Sequence, residues 1–224
     1  LPVAGDIEVV DATSAGANGD VFDVAAEEFQ AQILPTGFCG PSWVYGYLTD
    51  PALKNAIRPS YLGPVIVAER GVPAYPNYLN NIPNPSNVQA LLPIDMTLDW
   101  ANPDGIDCLP VANPVTGELE YTNPACGSLP PYSGAMPIAT HLHGGEVSPA
   151  FDGGPYAWFT GDGRVGPGFP GNVYSYMNDQ QESTIWFHDH ALGITRLNVY
   201  AGLAGAYPIV DPANPPQATM PRFP

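Results

Sequence analysis

The chain has 224 residues, 45% of them hydrophobic, which is enough for one large domain with a packed core and too many for a disordered or fibrous protein. Six lysines and arginines against 22 aspartates and glutamates give a formal net charge of −16, which excludes nucleic acid as a partner because phosphates need cations to meet them. No apolar run approaches the roughly 18 residues of a membrane span. The acidic surface reads first as a device for solubility; attraction of metal cations or cationic substrates, and a salty habitat, are its other readings.

Pro (28) and Gly (24) are abundant but not periodic, a pattern of many short strands joined by turns. Residues 1–20 are small, acidic and Gly/Ala-rich and are expected to form a loose arm. The chain opens on Leu1, so a removed export signal is inferred, with a secreted or periplasmic location. Val21–Leu34 reads as a strand with polar interruptions, although Ala25-Ala26-Glu27-Glu28 is locally helix-friendly. Gly63–Arg70 reads as a short strand after a turn, and Val72–Leu79 as another whose Pro73 and Pro76 mark a sheet edge. Pro103–Tyr132 reads as a long loop with turn signals at Pro103-Asp104-Gly105 and Pro114-Val115-Thr116-Gly117. Cys108 and Cys126 bracket its middle, where a disulfide would staple it, leaving Cys39 free or available to another chain.

Met136–His143 reads as a strand, Phe151-Asp152-Gly153-Gly154-Pro155 as a tight turn, and Asn172–Met177 and Thr184–His188 as further strands. Ala191–Tyr200 suits a short helical turn and Ala204–Val210 a last strand. The domain thus runs from residue 21 to 210. The segment 211–224 has five prolines in fourteen residues and reads as the start of an interdomain linker.

All four histidines fall into two pairs, His141-Leu142-His143 and His188-Asp189-His190. On an extended strand residues i and i+2 share a face, so each pair presents two imidazoles to one side, and two adjacent strands would present four to a common point. Imidazole nitrogens ligate copper, zinc, iron and nickel. Structural zinc usually recruits cysteine, and none lies near either pair. Ordinary surface or core histidines, a single zinc and a copper cluster are the readings open at this point.

The residues around the pairs resemble the multicopper oxidases. Thr140-His141-Leu142-His143-Gly144-Gly145 matches that family's first His-x-His-Gly motif, and Trp186-Phe187-His188-Asp189-His190-Ala191 its second. Thr195-Arg196-Leu197-Asn198-Val199-Tyr200-Ala201-Gly202-Leu203-Ala204-Gly205 is similar to the branch that holds the bacterial spore-coat laccase, phenoxazinone synthase and bilirubin oxidase. Weaker matches reach upstream through Gly63–Pro73, Asn80–Pro83 and Thr97–Pro103, so the resemblance covers about residues 21–212.

The resemblance implies an all-β fold, a cupredoxin-like Greek-key β-sandwich, at the N-terminal end of a multidomain enzyme. It implies that His141 binds a type 2 copper and that His143, His188 and His190 bind paired type 3 coppers, in a trinuclear cluster shared with another part of the protein. Asp152 matches an acid expected to tune bound water and relay protons; its plainer reading is a turn former. Asp189 lies between two ligands, faces the other way and reads as a supporting acid. Trp186, Phe187, Tyr174, Tyr176 and Trp158 read as core, and Arg196 as a partner for a buried carboxylate after the cluster.

The family's remaining motifs, with the His-Cys-His core that binds type 1 copper, are not in this sequence, and Cys39, Cys108 and Cys126 have no neighbouring histidine. The expectation is a second polypeptide or C-terminal portion that completes the site, as in a nicked product, a split gene or an engineered piece. The implied enzyme takes electrons from phenolic or aminophenolic donors and reduces dioxygen to water. A manganese or copper ion oxidase of the same family, and a non-catalytic copper- or zinc-binding module, are the alternatives.

Overall fold

The structure, a computed structural model, describes residues 7–13, 20–121 and 123–214. Its elements are β1 (Val9–Ala12), β2 (Val21–Ala31), β3 (Ser42–Leu48), β4 (Val65–Glu69), β5 (Tyr75–Asn80), α1 (Asn87–Leu91), β6 (Pro110–Ala112), β7 (Leu119–Tyr121), β8 (Thr140–His143), β9 (Ser183–Asp189), α2 (Thr195–Ala201) and β10 (Ala204–Val210). They form a five-stranded sheet in the order β1-β4-β10-β9-β8, a three-stranded sheet in the order β3-β2-β5, and a separate β6-β7 hairpin. Val24, Ala26, Tyr47 and Tyr78 from the smaller sheet and Ile66, Leu142, Phe187 and Tyr207 from the larger share one buried core, so the two sheets pack as a sandwich.

Large aromatic rings fill that core. Tyr47 lies 5.3 Å from Phe187 and Tyr78 lies 5.2 Å from Tyr174, between ring centres. Two of the core hydroxyls find partners inside, Tyr47 with Thr140 Oγ1 at 3.0 Å and Tyr207 donating to Asn178 Oδ1 at 3.0 Å, whereas that of Tyr174 has none among the described residues. Tyr174 and Tyr176 are fully buried and Trp158 nearly so, as expected of core residues.

β2 is a strand throughout, helix-friendly residues included. Glu27 accepts from Lys54 Nζ and Asn81 Nδ2, each at 2.8 Å. Glu28 accepts from Ser86 Oγ at 2.6 Å, Asn87 Nδ2 at 2.9 Å and Val88 N at 2.8 Å, at the start of α1. Partners this far along the chain satisfy two buried carboxylates and override the local preference. β5 is an edge strand carrying Pro76, as its prolines imply.

Several expectations need correction. Part of the expected arm, Val9–Ala12, is a strand that pairs in parallel with β4; 1–6 and 14–19 of that arm lie outside the described residues, as do 215–224 of the expected linker. Asn172–Met177 forms isolated bridges at Val173 and Tyr176 rather than a strand. The long loop contains the β6-β7 hairpin, turned at Gly117 (φ 73°), and the Cys108–Cys126 disulfide closes across it. Cys39 is free and exposed.

Candidate metal centre

β8 and β9 pair antiparallel, with His141 opposite His188, His143 opposite Trp186, Thr140 opposite Asp189 and Leu142 opposite Phe187. Residues directly opposed across a ladder share a face, and faces alternate along each strand. Thr140, Leu142, Phe187 and Asp189 therefore turn inward, each at most 1% exposed. His141, His143, Trp186 and His188 turn outward together. His190 lies just past the end of β9, where its backbone N–H donates to Ala139 O at 2.6 Å.

The imidazoles converge. The ring centre of His141 lies 5.7 Å from His143, 5.5 Å from His188 and 5.2 Å from His190, and His143 lies 5.3 Å from His188. Ligand nitrogens of His141, His143 and His188 all lie within 4.8 Å of one another, while His190 stands beside this trio. The His190 Nδ1 is buried and has no hydrogen-bond partner among the described residues, which leaves it free for a metal.

Backbone carbonyls fix two of the tautomers. His141 Nδ1 donates to Asp152 O at 2.5 Å and His188 Nδ1 donates to Asp189 O at 2.7 Å. A carbonyl can only accept, so in the neutral ring each Nε2 is the nitrogen that carries the lone pair. The His188 Nε2 faces His143 Nδ1 at 3.1 Å. Burial lowers the His188 pKa from 6.5, with the three neighbouring imidazoles adding to the effect. A neutral imidazole is what ligation requires, so the donor set fits a nitrogen-bound metal such as copper.

Asp152 reaches His141 because the turn after it lies directly on β8. A Cβ on Gly153 (φ +68°) would collide with Thr140 O, so only glycine permits this approach. The Asp152 carboxylate stands 3.5 Å from His141 Nδ1 and is 46% exposed, which gives it contact with both solvent and imidazole.

Asp189 faces away from the imidazoles. Its carboxylate accepts from Ala139 N at 2.8 Å, Ala191 N at 3.1 Å and Asn198 Nδ2 at 3.1 Å. Burial still pushes its pKa up to about 7, although these donors favour the charged form. Two readings of the sequence fail. Trp186 is not core: it is 39% exposed and lies over His143 and His188, with ring centres 5.1 and 4.3 Å away. The i, i+2 spacing from His188 already carried that signal. Arg196 is exposed and makes no ion pair among the described residues; Asn198, two positions on, is the buried contact to a carboxylate.

No family model matches the chain. It is 36% identical over 160 residues to the rice multicopper oxidase LPR1 homolog 1 (71% of this chain, 22% of that protein). It is 33% identical over 195 residues to a laccase of Bacillus subtilis (85% and 29%), and 31% identical over 198 residues to a laccase of Haloferax volcanii (87% and 28%). The chain thus spans under a third of the length of these relatives. A crystal structure of a multi-copper oxidase from Pediococcus acidilactici shares the fold, with a TM-score of 0.52 at 21% identity over 92% of this chain and 28% of that one. A multicopper oxidase from Campylobacter jejuni, titled a metallo-oxidase, superposes with a TM-score of 0.52 at 16% identity, over 92% of this chain and 29% of that one. The two-sheet architecture is the cupredoxin-like β-sandwich of these proteins. By sequence and by fold, the chain belongs to the multicopper oxidase family.

Proposed function

We propose that this chain contributes His141, His143, His188 and His190, together with the acid Asp152, to the oxygen-reducing copper centre of a laccase-like enzyme. The whole protein would oxidise phenolic or aminophenolic donors and pass their electrons to dioxygen, giving water. The observation that carries this reading is the gathering of three imidazole nitrogens within 4.8 Å on one sheet face. Copper, when bound, supplies one-electron chemistry and open coordination positions for dioxygen.

His141 is assigned to a type 2 ion and His143, His188 and His190 to a type 3 pair. Four imidazoles are too few for three coppers. The other ligands, and a type 1 copper beside the donor pocket, are assigned to a C-terminal portion or second polypeptide. The chain's own residues orient and protonate. The carbonyls of Asp152 and Asp189 aim two Nε2 atoms. The Asp152 carboxylate, near His141 and partly in solvent, holds and passes protons to the oxygen being reduced. Trp186 covers one side of His143 and His188 and limits water there. The Cys108–Cys126 disulfide supports a secreted or periplasmic location, where such bonds persist.

The test is oxygen uptake with a phenolic donor by the copper-loaded chain together with the polypeptide that co-purifies with it. Uptake that stops in His141→Ala supports the reading. Uptake with Mn(II) or Cu(I) alone favours the metal-ion oxidase, and bound metal without uptake from any donor leaves a non-catalytic module. Activity without any companion that carries a His-Cys-His motif overturns the shared cluster.

A further inference from the structure

We propose that Asn198 is a positioning residue for the imidazole set: with Asp189 it forms a buried bracket that fixes the spacing between the two histidine-bearing segments. This inference rests on the metal-site reading above and adds a residue to it that touches none of the ligands' rings.

The β8-β9 ladder ends at the pair Thr140–Asp189. Sheet register therefore aligns His141 with His188 but does not reach His190. What holds the chain beyond that point is a set of backbone and side-chain bonds, to which α2 contributes Asn198. Asn198, fully buried, donates through Nδ2 to Asp189 Oδ2 and to Pro137 O, both at 3.1 Å. One amide group thus joins the residue between His188 and His190 to the run that leads into His141. The orientation of the amide follows from Pro137 O, a carbonyl that can only accept. Asp189 extends the bracket through Ala139 N at 2.8 Å and Ala191 N at 3.1 Å. His190 N closes it on Ala139 O at 2.6 Å.

Every hydrogen-bond partner of the Asp189 carboxyl among the described residues is an N–H donor: Ala139 N, Ala191 N and Asn198 Nδ2. Truncating Asn198 removes one of the two donors to Asp189 Oδ2, leaving Ala191 N, and removes the side-chain donor to Pro137 O. The segment holding His190 then shifts relative to His141. Loss of such outer support typically weakens metal binding about 10- to 100-fold.

The experiment uses the 224-residue chain, titrated with Cu(II) against a competing chelator and followed by EPR, with urea unfolding of each variant in parallel. The variants are Asn198→Ala and the milder Asn198→Ser, which keeps one short donor. The control is Gln89→Ala, which removes another buried amide, one that donates to Tyr132 O at 2.8 Å remote from the histidines. The expected result is a loss in Cu(II) affinity of about 10- to 100-fold with a changed EPR hyperfine pattern in Asn198→Ala, and a smaller change in Asn198→Ser. Gln89→Ala should keep the parent affinity and spectrum even where its unfolding midpoint falls. A folded Asn198 variant with the parent affinity and spectrum overturns the proposal, as does an equal change in Gln89→Ala. Absence of Cu(II) binding by the unsubstituted chain, both alone and with the polypeptide that co-purifies with it, removes the metal-site reading itself, which keeps the two failures apart.

Discussion

The two faces of the β8-β9 ribbon use one backbone for opposite purposes. Inward, Thr140, Leu142, Phe187 and Asp189 are sealed in the core. Outward, His141, His143, Trp186 and His188 lie against one another with their ring nitrogens converging. The inner face is held by packing and complete hydrogen bonding. The outer face gathers ring nitrogens that find few protein partners, His188 Nε2 meeting only His143 Nδ1 at 3.1 Å. The period of two is what allows both within seven residues of β9.

Substitutions that respect this division should separate cleanly. His141→Ala, on the outer face, should abolish the type 2 EPR signal and oxygen consumption, while circular dichroism and the unfolding midpoint stay close to the parent. Phe187→Ala, one residue from His188 but inward, should cost about 3–5 kcal/mol in urea unfolding. If both variants lose stability alike, the division into faces is wrong. Asp152→Asn should slow turnover by about 10²-fold or more with copper content unchanged. A collapse in copper loading would make Asp152 a shaper of the turn.

The smallest expected effect is in pH. Asp189 is raised from 3.8 to about 7, so the folded state binds its proton more tightly. Its contribution is fully present below about pH 4 and is lost as pH rises through 7. His188 is lowered from 6.5, so its contribution is present above that value and lost as pH falls through the folded pKa. The two faces therefore tilt metal-free stability in opposite directions. His188→Ala should remove a loss of stability that sets in as pH falls below 6.5, and Asp189→Asn a loss that sets in as pH rises from about 4 to 7; a profile unchanged by either would contradict these shifts.

Much of this was legible in the sequence because it depends on short-range geometry. The His-x-His spacing carries its own facing rule, and Ala204–Val210 reads as the strand it is. What escaped depends on distant partners. Glu27 and Glu28 look helical until Lys54, Asn81 and Ser86 are brought to them by the fold. The strand at Val9–Ala12 exists because β4 offers an open edge, which composition alone does not reveal. Arg196 drew attention by its charge, whereas the bond that matters comes from the neutral Asn198, a residue with no sequence signal until α2 is seen against Asp189. Trp186 shows the reverse: the facing rule was available, and its size and apolarity obscured it.

The bare Cα of Gly153, seated on the carbonyl of Thr140, has a dynamic consequence. With no slack between turn and strand, neither can breathe alone. A fluctuation that displaces Asp152 should also drag the His141 ring, and a metal held by that ring should in turn quiet the turn. Amide hydrogen exchange at Asp152 and Gly153 should slow together with that of β8 when metal binds, as one mechanical unit.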